Sequence, residues 1–337
     1  MAFFLEPCEA CDDVRIATLH VDDLPSAMYG LLQLFFYEPS DEPRFISMSR
    51  VRDRFTLVAD AARLEGVPGL SVDPTEWAVL RVDEQSLHND EQSHAAGDNV
   101  ILDTPGIVSR LTGPLADASI PVFHLSTYDS EFILVPRAQL GDALACFSAQ
   151  PPTLAQSDVA ARRASDLAHT HTYPLEVLSE HPTAILRLEK PCRELHMGAL
   201  LRLLFMPMPH DTPQALVSLT ESPDNDLSIL TALTPWWQEH CRAFPTGLSG
   251  LDLEQWVPVC IRNAGLNETG IVAAMASVLS AQRISMLGCS TLSGSALATD
   301  FTLVPCSRVE EATAAFSAAG FEVGLEHDEQ EGTASAL

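Results

Sequence analysis

The chain repeats itself, and a repeat limits what it can fold into before any single residue is weighed. Gly106-Ile107-Val108, Leu115, Ile120 and Ser126-Thr127 recur as Gly270-Ile271-Val272, Leu279, Ile284 and Ser290-Thr291, each pair 164 positions apart. Beyond the Ser-Thr pair, Glu131-Phe132-Ile133-Leu134-Val135-Pro136 recurs as Asp300-Phe301-Thr302-Leu303-Val304-Pro305 at a separation of 169, so the later copy has five extra residues in one loop. An earlier unit recurs as well. Ile16 matches Ile185, Leu19 matches Leu188, Leu31-Leu32 match Leu200-Leu201 and Phe36 matches Phe205, all 169 apart. Ile46-Ser47-Met48-Ser49 matches Val217-Ser218-Leu219-Thr220 at 171, and Trp77 matches Trp256 at 179. The span from about 12 to 140 is thus duplicated from about 181 to 320.

Each half itself holds two modules of one kind. Val14 to Val21 alternates apolar and other residues, as a strand with one buried face does. Leu24-Pro25-Ser26 opens a helix to Phe36, and Phe45 to Ser49 and Arg54 to Val58 are two more short strands. The order returns as Trp77 to Val82 (strand), Ile107 to Ala118 (helix), then strands at Val122 to Ser126 and Phe132 to Val135, with a further helix from Ala138 or, in the later copy, from Val309. Strand–helix–strand–strand with helices on one face of an antiparallel sheet is an α+β, ferredoxin-like arrangement. The expected units are 12–75, 76–149, 181–250 and 251–324. A Pro/Ser/Ala-rich linker at 150–180 carries His169 and His171 and a short helix near 160–168, and an acidic tail at 325–337 reads as disordered.

Of 337 residues 46% are hydrophobic, enough for a sizeable core. The net charge is −27, with Lys190 the lone lysine, which argues against nucleic acid or an anionic membrane surface as a partner. The opening Met1-Ala2-Phe3-Phe4-Leu5-Glu6 has no basic flank and too short an apolar run for a secretory leader, and no run reaches membrane-spanning length. Eight scattered cysteines fit reduced thiols, so a cytoplasmic location is expected. Cys8 and Cys11 form a Cys-x-x-Cys without the second pair that a zinc site needs. Nucleotide-binding, zinc-protease and serine-hydrolase motifs are missing, and no enzyme activity, metal or cofactor is expected.

What remains is recognition chemistry. Thr104-Pro105-Gly106 and Glu268-Thr269-Gly270 each lead into a helix whose first N–H groups are free, a setting suited to a carboxylate. The two helix starts are expected to face one shared crevice. Asp300 and Glu131, each just before Phe-x-Leu-Val-Pro, could meet a guanidinium or ammonium group, and Glu268 could meet an α-amino group. Solvated strand and helix ends explain the same acids. Tyr128, Asp129 and Glu131 read as an exposed turn suited to a protein contact.

The stretch from Leu125 to Val135, the Gly270-Ile271-Val272 helix start and the strand–helix–strand–strand order resemble ACT domains. With the fourfold arrangement they resemble the CASTOR family of cytosolic arginine sensors. The resemblance implies four tandem ACT modules, a homodimer, and an amino acid, arginine first, bound between the second and fourth. It places ligand contacts at Pro121, Val122, Glu268, Thr269, Gly270, Ile271, Val272, Thr291 and Asp300. It also implies regulation of the TOR pathway through a GATOR-like complex, met by Tyr128, Asp129 and Glu131. The family has a serine where this chain has Pro121, and the loop from Leu292 to Thr299 is longer here. An interaction module with altered or lost ligand binding is the alternative those departures suggest.

Overall fold

The computed structural model describes residues 5–8, 11, 13–37, 44–82, 106–148, 174–178, 182–206, 216–223, 226–250, 255–266, 268–292 and 297–325. Strand β1 (Leu5–Pro7) leads. The first unit holds β2 (Val14–His20), α1 (Leu24–Leu32), β3 (Ile46–Val51), β4 (Arg54–Asp60), α2 (Ala61–Leu64) and β5 (Ser71–Val72). The second holds β6 (Trp77–Val82), α3 (Ile107–Asp117), β7 (Phe123–Ser126), β8 (Glu131–Pro136) and α4 (Leu140–Ser148). After β9 (Leu175–Val177) come β10 (Thr183–Leu188), α5 (Arg193–Phe205), β11 (Val217–Glu221), β12 (Leu227–Ala232), α6 (Pro235–Ala243) and β13 (Leu248–Ser249). The fourth unit holds β14 (Trp256–Gly265), α7 (Ile271–Ala281), β15 (Leu287–Leu292), β16 (Leu297–Pro305), α8 (Val309–Ala318) and β17 (Val323–Leu325).

The first unit orders its strands β5-β2-β4-β3, all antiparallel, and the third follows suit as β13-β10-β12-β11. This is the ferredoxin-like βαββαβ topology. In the second and fourth units the fourth place is filled from elsewhere. β1 pairs with the outer side of β6, and β9 with the outer side of β14, while β17 adds parallel to β9. Each half therefore sends its leading strand past its first unit to complete its second. The linker expected at 150–180 accordingly ends in a strand. The repeat also reaches further out than 12 and 181: Leu5-Glu6 and Leu175-Glu176 occupy matching places 170 positions apart. The expected helix near 160–168, His169, His171 and the tail beyond 325 lie outside the described residues.

The units join through their edge strands, and the joining residues are repeat mates. β3 pairs antiparallel with β11 about Met48↔Leu219, and β7 meets β15 at Cys289↔Leu125. Each seam lies on a local pseudo-twofold axis. The first and third units thus share one sheet, the second and fourth another, linked by single bridges Val14↔Trp77 and Thr183↔Trp256.

Side-chain alternation shows how the sheets stack. Val14 and Ile16 of β2, Trp77 and Val79 of β6, Phe132 and Leu134 of β8, and Phe301 and Leu303 of β16 enter one core drawn from both sheets. The intervening residues Ala17, Leu19, Leu80, Ile133 and Val304 face helices. The expectation of one buried face per strand is corrected: helices cover one face and the other sheet covers the second. That explains runs such as Phe132-Ile133-Leu134-Val135, buried at every position.

Helices α3 and α7 pack against each other over the second seam, where Ser109 Oγ lies 3.2 Å from Ser277 Oγ. α7 is buried from Ile271 through Leu279, so it is covered on all sides. Both helices end alike. Ser119 and Arg283 take left-handed φ of 55° and 53°, and Ile120 and Ile284 amides reach back to the Leu115 and Leu279 carbonyls. This Schellman-type stop turns each chain into β7 or the approach to β15.

Candidate functional site

The helix-facing side of the β7–β15 seam is polar although it is buried. Phe123, Leu125 and Cys289 point into the inter-sheet core, which leaves His124, Ser126, Gly288 and Ser290 on the helix side by alternation. The contacts follow the pseudo-twofold axis. Ser126 Oγ accepts from the Gly288 amide at 2.7 Å, and Ser290 Oγ accepts from the His124 amide at 3.1 Å. Each serine also donates to the acid of its own unit, Ser126 to Glu131 at 2.7 Å and Ser290 to Asp300 at 2.6 Å.

The symmetry fails at one pair of positions, and the failure matters. His124 Nε2 lies 2.6 Å from Glu131 Oε2, a buried charge-assisted contact. The repeat mate of His124 is Gly288, which has no side chain, and the His124 ring fills the space above it. A Cβ added at Gly288 would fall 2.0 Å from His124 Nδ1. Among the described residues Asp300 therefore has no histidine of its own. Asp300 is 8% exposed, and its carboxylate takes a hydrogen bond from Ser290. Burial pushes its pKa up from the ordinary carboxylate value; Ser290 and the more distant His124 pull it down, and Glu268 raises it again. One acid of the pair is satisfied internally, and the other is a buried carboxylate with capacity for a cation.

Glu268, in the loop before α7, lies near enough to Asp300 for its charge to act on that carboxyl. Glu268, Thr269 and Gly270 are half-buried, and Ile271 and Val272 are buried in the core under α7. Gly270 adopts φ 91°, as does its mate Gly106 at 85°, a conformation that glycine enters without a Cβ clash. Val122 is half-buried and packs on the helix-side cores of both the second and the fourth unit. Pro121 is buried beside it and has no N–H to offer. Thr291 is buried, with its hydroxyl donating to the Thr299 carbonyl at 3.2 Å, so that hydroxyl's proton is already engaged. Residues 293–296 of the longer loop lie outside the described residues.

Two expectations are corrected. The Gly106 and Gly270 helix starts do not share one crevice. A Cβ on Gly106 would meet Ser280 Oγ at 2.6 Å, so the start of α3 lies at the end of α7. With Ser109 facing Ser277 the helices run antiparallel, and the two glycines stand about 15 Å apart at 1.5 Å per residue. There are two pseudo-equivalent helix starts, and that of α7 follows Glu268, the acid whose charge acts on Asp300. Secondly, the turn at Tyr128, Asp129 and Glu131 is not an exposed one. Tyr128 and Glu131 are 9% and 2% exposed and Asp129 is half-buried. The Tyr128 amide donates to Ser228 Oγ at 2.9 Å, and its ring lies against Gly250 of the third unit. The other sheet covers the turn, which a reading of one unit at a time does not foresee.

The structure adds His124, Ser126, Gly288 and Ser290 to the site. The recurrent Ser-Thr pair signalled both serines. His124 could have been found as the one polar residue in the strand Val122 to Leu125, facing Gly288 in its copy. Among the described residues no cluster of three or more His, Cys, Asp or Glu could hold a metal ion, and no helix is long and apolar enough to cross a membrane.

Comparison with known proteins accords with this architecture. The ACT domain family matches residues 94–149. The human protein named cytosolic arginine sensor for mTORC1 subunit 1 is 24% identical over 317 residues, 87% of this chain and 91% of that protein. The human putative protein CASTOR3P is 30% identical over 114 residues, 33% of this chain and 66% of that protein. Among solved structures, aspartate kinase from Synechocystis is 13% identical with a TM-score of 0.32, covering 93% of this chain and 55% of that one. With its repeated ferredoxin-like units and its match to the ACT domain family, the chain has an α+β ACT fold, and it is similar along most of its length to a protein named as a cytosolic arginine sensor.

Proposed function

We propose that the chain is an amino-acid sensor that binds arginine between its second and fourth units. The observation that carries this reading is the asymmetry of the acid pair: Glu131 is met by His124, whereas the buried Asp300 accepts from Ser290, lies near enough to Glu268 to feel its charge, and has no histidine partner among the described residues. A guanidinium would complete Asp300. The free amides at the start of α7 suit an α-carboxylate, and Glu268 suits an α-amino group. Ile271, Val272 and Val122 supply apolar wall for the aliphatic stem, with Pro121 and Thr291 bounding it. The relative named as a cytosolic arginine sensor for mTORC1 supports the same ligand, a cytoplasmic setting and a link to TOR signalling. Regulation would pass through a GATOR-like protein partner, with the chain acting as a homodimer. Since Tyr128 and Glu131 are covered, a partner contact at that turn would rest on Asp129 or follow an opening of the turn.

Isothermal calorimetry with the twenty amino acids tests the ligand. Arginine should bind with one site per chain. No heat with any amino acid at millimolar concentration would favour the alternative, an interaction module that has lost its ligand, for which Pro121 supplies the motive because it removes an N–H from the wall.

A further inference from the structure

We infer that Cys8 and Cys11, at the end of the strand that completes the second unit, form a redox-active dithiol that exchanges with glutathione disulfide. Cys8 follows β1 directly, and its amide donates to the Val79 carbonyl of β6 at 2.9 Å. The Cys11 amide turns back to the Cys8 carbonyl at 3.0 Å. The turn brings the two sulfurs to 2.7 Å, so closing a bond of about 2.04 Å needs a shift of under ~1 Å. Both are thiols here, Cys11 buried in the inter-sheet core and Cys8 half-buried.

The duplication supplies an internal control. The mate of Cys8 is Leu178, whose amide donates to Pro258 at the same 2.9 Å and whose side chain is buried in the same core. An apolar residue meets the packing demand of that place in the second half, so packing alone does not require a thiol there. The first half also has what a thiol needs for exchange, a way in. A cavity of about 350 Å³ is lined by both sulfur-bearing residues, by Pro7, Val79 and Leu140, and by Arg137. Arg137 brings positive charge to a chain of net charge −27, which suits the carboxylates of glutathione.

The half-buried Cys8 is the attacking thiol. Its thiolate takes one sulfur of glutathione disulfide, breaks the S–S bond and expels one glutathione thiolate. Cys11 then attacks Cys8 in the mixed disulfide and expels the second. Two electrons pass to glutathione disulfide, and the two thiol protons end on the released glutathiones.

The test uses the full chain in glutathione redox buffers, with alkylation and peptide mass mapping. The wild type should lose two hydrogens with Cys8 linked to Cys11. Cys11→Ser should trap one glutathionyl group on Cys8. Cys8→Leu copies the residue of the mirror position and keeps the fold by circular dichroism; its Cys11 should react at least tenfold more slowly than the wild-type pair. The inference is overturned if Cys8 and Cys11 stay alkylatable in glutathione disulfide alone, if Cys11→Ser gains no adduct, or if Cys11 in Cys8→Leu reacts as fast as the wild-type pair.

Discussion

Asp300 and Glu131 occupy matching places in a duplicated frame yet face opposite tasks, and a single histidine makes the difference. The His124–Glu131 contact is buried at both ends, with side chains 1% and 3% exposed. Removing one partner of such a pair strands the other charge at a cost of about 3–5 kcal/mol, whereas an apolar pair of similar volume is often neutral. His124→Met should therefore lose stability on that scale in urea unfolding, and His124→Met/Glu131→Leu should regain most of it. Equal losses in the single and double variants would show that the pair contributes nothing specific. Asp300 makes the opposite forecast. Its folded pKa is raised by burial above the ordinary value of 3.8, so the native state holds a proton that the unfolded chain has already released. Stability falls as pH rises from that value through the raised one, and stays lower above it. Asp300→Asn should match the wild type in acid and exceed it at neutral pH without ligand, as read from thermal unfolding at a series of pH values. A variant that is less stable at neutral pH would mean that Asp300 is satisfied internally after all.

At the scale of elements, the seams were legible and the strand exchange was not. Met48 with Leu219 and Leu125 with Cys289 are repeat mates, so equal spacing in the sequence already named the residues on the axes, although it did not say that they would touch. The leading strands β1 and β9 are three residues each, too short for periodicity to declare, and both lay outside the assigned units. The covered turn at Tyr128 was illegible for another reason: its burial comes from Ser228 and Gly250, about a hundred positions away. The second seam also rests on an absence. Gly288 is needed because the His124 ring lies where its side chain would be. Gly288→Ala must push the ring or separate β7 from β15. It should cost about 1–3 kcal/mol, the usual penalty for overpacking, and loosen the amide bonds that Ser126 and Ser290 accept across the seam. Hydrogen exchange at Gly288 and His124 would read this directly, and unchanged protection at both amides would show that the seam tolerates the methyl.

At the scale of the molecule, the two sheets share one core, and the candidate site lies on the seam of only one of them. The matching seam between the first and third units is already closed by charge. Glu221 is buried there and accepts from Arg44 at 2.8 Å and Arg193 at 2.9 Å, so a guanidinium from the chain itself stands with that acid. The second seam has Asp300 with Ser290, and a ligand would supply the missing cation. Binding there should stabilise the whole fold, since it ties the second unit to the fourth and both to the common core. A ligand at a hundred times its dissociation constant adds about 2.7 kcal/mol, which should raise the melting temperature by about 4 °C. Arginine and citrulline share a backbone and differ in the charge of the terminal group. Loss of a charge-assisted bond to Asp300 costs about 1.5–3 kcal/mol, so citrulline should bind ten- to a hundredfold more weakly. In Asp300→Asn the two should bind alike, because neither then meets a charge. If arginine keeps its advantage in that variant, the cation is recognised elsewhere, and Glu268 at the start of α7 is the next carboxylate to change.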